Sequence, residues 1–148
     1  MTLQECYEKM GGDYAEVSER LVSDERIAKY VVKFLEDPTY QMLCEAIEID
    51  DDKAIFLSIH TLKGLSQNLG FGRLYEASHE MTEAVRGGVK LENMSLFETV
   101  RDAYLVTINV IKEFMEGIKE IPFIYDGRTV VEDENSTIKL FFFYNIQI

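Results

Sequence analysis

The chain has 148 residues, 47% of them hydrophobic, and a formal net charge of −12; it is long enough to bury one core and too short for two full domains. So acidic a surface repels phosphate backbones, and no Lys/Arg cluster offsets it, which excludes nucleic acid as a natural partner. No stretch approaches the roughly 18 consecutive apolar residues of a membrane span, and the opening MTLQECYEKM lacks the basic lead and apolar run of a secretory signal. Cys6 and Cys44 stand far apart without metal-ligand spacing, so free thiols in a cytoplasmic protein are expected.

Thr2 is placed to cap a first short helix, with Glu5 completing a capping box, and Gly11 and Gly12 close it. Asp13 caps Tyr14 to Leu21, and Ser23 or Asp24 caps Ile27 to Leu35, whose Ile27, Val31, Phe34 and Leu35 form an apolar stripe. Asp37 and Pro38 open the next helix, with Pro at the first helical position and Tyr40, Leu43, Cys44 and Ile47 on the buried side. Asp50, Asp51 and Asp52 bring negative charge to the start of a helix over Asp51 to Leu69, which Gly70 and Gly72 end. Arg73 to Arg86 follows, with Leu74, Ala77, Met81 and Val85 inward and Gly87 and Gly88 as its stop. A long helix from Ser95 to Met115 keeps Leu96, Val100, Tyr104, Ile108, Ile111 and Met115 in register. Four long helices with short links predict an all-α, antiparallel four-helix bundle with additional short N-terminal helices.

Near residue 119 the chain changes character. Pro122 and Gly127 interrupt helical reading, FIY, Asp126-Gly127 and RTVV read as a hairpin, and TIKLFFFYNIQI is rich in strand formers. The organisation expected is a helical bundle over residues 1–119 and a β-like C-terminal extension over 120–148. Apolar strands left uncovered invite pairing, so the extension should pack on the bundle or on another chain; the oligomeric state stays open.

The most informative residue is His60. At about 100° per residue, Ile55, Ile59, Leu62, Leu65 and Leu69 fall on one stripe of their helix and His60 points nearly the opposite way, beside Lys53, Phe56, Lys63, Gly64 and Gln67. A neutral imidazole nitrogen is a good nucleophile near neutral pH and can carry a transferred group. Lys63, one turn on, is placed to neutralise a phosphoryl group in part. Gly64 leaves room for a visiting surface, at a cost in helix stability on the order of 1 kcal/mol against alanine, and Phe56 offers that visitor an apolar anchor. Taking the next turn to centre near Phe71, residues 82, 79 and 75 stand level with 60, 63 and 67, which makes Thr82 a candidate hydrogen-bond partner for the His60 ring. Glu76 and His79 have the Glu-x-x-His spacing of di-iron bundles, but a second such pair is absent and Lys63 at the matching level opposes a cation, so no metal site is expected.

The run His60-Thr-Leu-Lys63-Gly64-Leu-Ser-Gln67-Asn-Leu-Gly70 resembles the motif of histidine-containing phosphotransfer (HPt) domains, fitting it at His60, Leu62, Lys63, Gly64, Ser66, Leu69 and Gly70. Leu65 departs from it, standing where many members have alanine or serine. The resemblance covers roughly residues 1 to 118. It implies a four-helix bundle whose histidine takes a phosphoryl group from a receiver-domain aspartate and passes it to another, in a phosphorelay with response regulators and a hybrid sensor kinase. It also implies no nucleotide site and no bound cofactor, the Mg²⁺ being held by the receiver; with Met1 opening the bundle directly and no kinase or receiver segment following, a stand-alone phosphocarrier that is not an enzyme is expected. Members often have a glutamine at the level of the histidine on the following helix, where Thr82 stands here. A helical adaptor that binds receiver domains or other signalling proteins without being phosphorylated shares this fold and surface.

Overall fold

In a computed structural model the protein is described over residues 1–120, and every regular element among them is a helix. The β-like extension expected over 120–148 lies, but for residue 120, outside the described residues. Three short helices come first, α1 (Leu3–Lys9), α2 (Tyr14–Leu21) and α3 (Asp24–Lys33), the last running into a 3₁₀ turn at Phe34–Glu36. Four more follow, α4 (Thr39–Glu48), as long as α3, and the longer α5 (Asp52–Leu69), α6 (Gly72–Ala84) and α7 (Met94–Glu120), with a second 3₁₀ turn at Arg86–Gly88.

The caps explain most of these limits. Oxygens of Thr2, Asp13, Ser23 and Asp51 accept the backbone N–H three residues on, at 3.1, 2.9, 3.3 and 3.1 Å, each satisfying a donor that a helix start leaves orphaned. Pro38 is not the first helical residue as expected. It stands one place earlier, as the cap of α4, while the Asp37 carboxylate accepts from the Thr39 N–H at 2.8 Å. The stretch expected as one helix to Arg86 stops at Ala84, because Gly87 turns left-handed at φ 77°. In the other direction α7 runs five residues past the expected Met115. There α1 lies against it, with Lys9 bonded to Glu113 at 3.0 Å and Gly117 close to the first residue of the chain.

The core is built where the apolar periodicity puts it. Leu43, Ile55, Ile59, Leu62, Leu74, Met81 and Ile111 are buried, and consecutive helices from α4 to α7 pack side by side. Leu65 and Leu69, expected on the same stripe, are only half-buried because they border a groove of about 700 Å³ with Leu21, Phe34 and Pro38. Aromatic rings tie the helices together: Tyr7 meets Phe71 at 6.0 Å, Phe71 meets Phe34 at 5.2 Å, Phe34 meets Tyr104 at 6.0 Å, and Tyr104 stacks on Tyr40 at 3.8 Å. That chain of contacts runs from α1 through the α5–α6 turn and α7 to α4. Such rings bury the largest areas available to single side chains and add directional contact energy.

The α5–α6 turn is where the small N-terminal helices act on the long ones. The link between α1 and α2 lays its backbone directly on the turn: Asp13 N–H donates to the Gly70 carbonyl at 2.9 Å and Arg73 N–H to the Gly11 carbonyl at 3.1 Å. The buried Tyr7 hydroxyl donates to the Leu69 carbonyl at 2.6 Å. A Cβ on Gly12 would lie 2.6 Å from the Gly70 carbonyl oxygen, and one on Gly72 2.8 Å from that of Gly11, so two glycine pairs read as helix stops also allow two backbones to touch. Arg20 completes the clamp from α2, donating to the carbonyls of Gln67 and Asn68 at 3.0 and 2.8 Å, a cation at the negative end of α5.

Candidate functional site around His60

Anchored at Gly70 and capped at Asp51, α5 turns two of its hydroxyls onto its own backbone: Thr61 Oγ1 donates to the Leu57 carbonyl at 2.8 Å and Ser66 Oγ to that of Leu62 at 2.8 Å. Its apolar stripe faces the core, which leaves His60 exposed. Phe56, one turn earlier, is half-buried and lies nearly parallel to the imidazole, ring centres 5.7 Å apart and planes inclined by 19°. Phe56 therefore supports the histidine ring as well as offering an edge to solvent. Lys63 is half-buried and makes no salt bridge among the described residues.

At Gly64 an added Cβ would meet nothing within 4 Å, and its backbone is ordinary helix. Neither packing nor a positive φ requires glycine there, in contrast to Gly12 and Gly70. The missing side chain widens the surface beside His60. Gln67 is exposed two turns beyond His60 on the same face, so His60, Lys63, Gly64, Gln67 and Phe56 share one continuous outer surface of α5.

Thr82 does not join them. It is fully buried, and its hydroxyl donates to the Ser78 carbonyl at 2.7 Å, so the hydrogen bond expected to the His60 ring is not formed. Its angular position, at the edge of the Leu74–Ser78–Met81–Val85 stripe, turns it inward. The next residue on α6, Glu83, reaches the surface and is bonded to Arg86 through Nε at 3.2 Å and also through Nη2. The arginine draws the Glu83 carboxyl below the usual range, helped by the charges of His79 and Lys63. Further along α6, Tyr75 and His79 repeat the stacked pair of α5, 5.8 Å apart. Leu57 was also missed: it is 55% exposed one turn before His60, and its place just off the helix's polar face was the available signal. Among the described residues no three His, Cys, Asp or Glu side chains gather as a metal site would need, and no helix is long and apolar enough to cross a membrane.

The described residues form an all-helical fold that holds one imidazole outward, with a lysine a turn away and an open glycine beside it. In comparison with protein families, a family model described as Hpt domain matches residues 37–119. The chain belongs to the Hpt domain family, whose members act in histidine phosphotransfer within phosphorelays and interact with receiver domains. The match begins just before α4, so α1 to α3 lie outside the matched residues. No curated protein and no solved structure matches the chain.

Proposed function

We propose that this protein is a phosphorelay carrier in which His60 is the phosphoacceptor. In the first transfer the imidazole Nε2 lone pair forms an N–P bond to a receiver phosphoaspartate, the acyl-phosphate P–O bond breaks, and the aspartate leaves as its carboxylate. A second receiver aspartate reverses those steps. Lys63 offsets charge on the carried phosphoryl group, Gly64 admits the receiver surface, and Gln67 and Phe56 hold it. In-line geometry and the Mg²⁺ come with the docked receiver, so the isolated protein is inert toward ATP and serves as substrate and carrier. On this reading α4 to α7 form the antiparallel four-helix bundle of the family.

The observation that carries the reading is the exposure of His60 next to a glycine that nothing inside the protein requires. The test mixes the protein with a receiver domain charged by acetyl phosphate. The expected result is a label on this chain that is acid-labile and base-stable and that His60→Gln abolishes. Receiver binding without any label would instead make the protein an adaptor.

A further inference from the structure

The groove of about 700 Å³ beside the C-terminal half of α5 has no part in the site around His60. Leu21, Phe34, Pro38, Leu65 and Leu69 give it apolar walls, and a trough of this volume suits several aromatic or aliphatic side chains. Lys33 and Glu36 on its rim are exposed and make no ion pair among the described residues, whereas Arg20 and Asp37 are bonded to backbone groups. The groove crosses the edge of the family match: Leu21 and Phe34 come before it, Leu65 and Leu69 lie within it. Leu65 is also where the motif of α5 departs from the family, and its larger side chain faces this groove.

The chain itself carries a segment of matching chemistry. Residues 140–148 read LFFFYNIQI, with Lys139 directly before them and the acidic run Glu132-Asp133-Glu134 further back. Left uncovered, so apolar a run pairs copies of the chain with one another. Residues 121–139 join it to the end of α7 and can span up to about 60 Å, farther than the width of a domain of this size. Tethering then gives the run an effective concentration on the order of 1 mM at a site within reach. We infer that residues 140–148 seat in this groove of their own chain, their apolar side chains against Phe34, Leu65 and Leu69, with Lys139 and the acidic run supplying charge partners for Glu36 and Lys33. The seat joins the two parts of the chain outside the family match, the N-terminal helices and the C-terminal segment, across α5. Leu65 stands about 140° around α5 from His60, so an occupied groove leaves the imidazole open.

The chain has no tryptophan, so Phe142→Trp in the full chain places a single indole in the run. Its fluorescence is expected at the short wavelengths of a buried indole and unchanged by dilution. Leu65→Lys added to that variant should shift the emission to that of a water-exposed indole, and Lys33→Glu should shift it part of the way, less so as salt is added. Leu105→Lys, at an exposed position of α7 outside the groove, should leave it in place. If Leu65→Lys lowers the helical circular dichroism, Lys33→Glu decides alone. Water-exposed emission from the Phe142→Trp protein would overturn the inference, as would a buried emission that a folded Leu65→Lys protein keeps, or that Lys33→Glu leaves in place where Leu65→Lys does not fold. A buried emission lost on dilution would overturn it in favour of a second copy of the chain as the occupant. None of these outcomes depends on phosphoryl transfer at His60.

Discussion

Two glycines show how one substitution reads out two different demands. Gly64 lies in mid-helix facing open space, so alanine there removes backbone freedom from the unfolded chain without a clash, and stability should rise by about 0.5–1 kcal/mol. The same methyl group stands where the receiver is proposed to land, and an intruding methylene in a packed contact costs about 1–3 kcal/mol, or transfer slowed by roughly five-fold to a hundred-fold. Gly64→Ala should therefore raise the urea midpoint and slow labelling of His60 at once; a faster or unchanged transfer would show that nothing approaches on that side. The residues of α5 were legible in the sequence because one helix's period fixes which side chains turn outward. Thr82 was not, since placing it needed the angle of a second helix about its own axis, and its level alone said nothing of that.

At the scale of elements, helix existence was legible almost throughout, because caps and apolar stripes are local. Asp13 and Gly70 mark a start and a stop on their own. What they could not reveal is that they meet: Asp13 N–H donates to the Gly70 carbonyl, with Gly12 between them and a Cβ there 2.6 Å from that oxygen and 2.7 Å from the Tyr7 ring. Close approach between segments far apart in sequence leaves no periodic trace. Gly12→Ala must push α1–α2 off the α5–α6 turn or displace Tyr7, and overpacking of this kind costs about 1–3 kcal/mol. Its urea midpoint should fall where that of Gly64→Ala rises, with an unchanged denaturant slope. If Gly12→Ala were neutral, the N-terminal helices would not be clamped on the turn that ends α5.

For the whole molecule, the α1 docking site makes stability depend on alkaline pH. Burial pushes the Cys6 thiol up from an ordinary 9.0 to about 12, with Glu113 of α7 adding to the rise, and burial likewise raises Tyr7 above its ordinary range. Both are acids whose neutral form the fold prefers. Below pH 9 the folded and unfolded chains hold the Cys6 proton alike and no dependence arises from it. Between about 9 and 12 the unfolded chain has released a proton that the folded chain keeps, so unfolding is favoured as pH rises. Tyr7 acts with the same sign. The urea midpoint should accordingly decline steadily above pH 9. Replacing Cys6 by alanine lowers stability at every pH, since it empties part of the core, so the informative quantity is the slope: Cys6→Ala should flatten the decline between pH 9 and 11. An equally steep decline in that variant would mean that the alkaline loss comes from the tyrosines that burial raises, Tyr7, Tyr40 and Tyr104, and from the repulsion within a chain of net charge −12, and not from the buried Cys6 thiol.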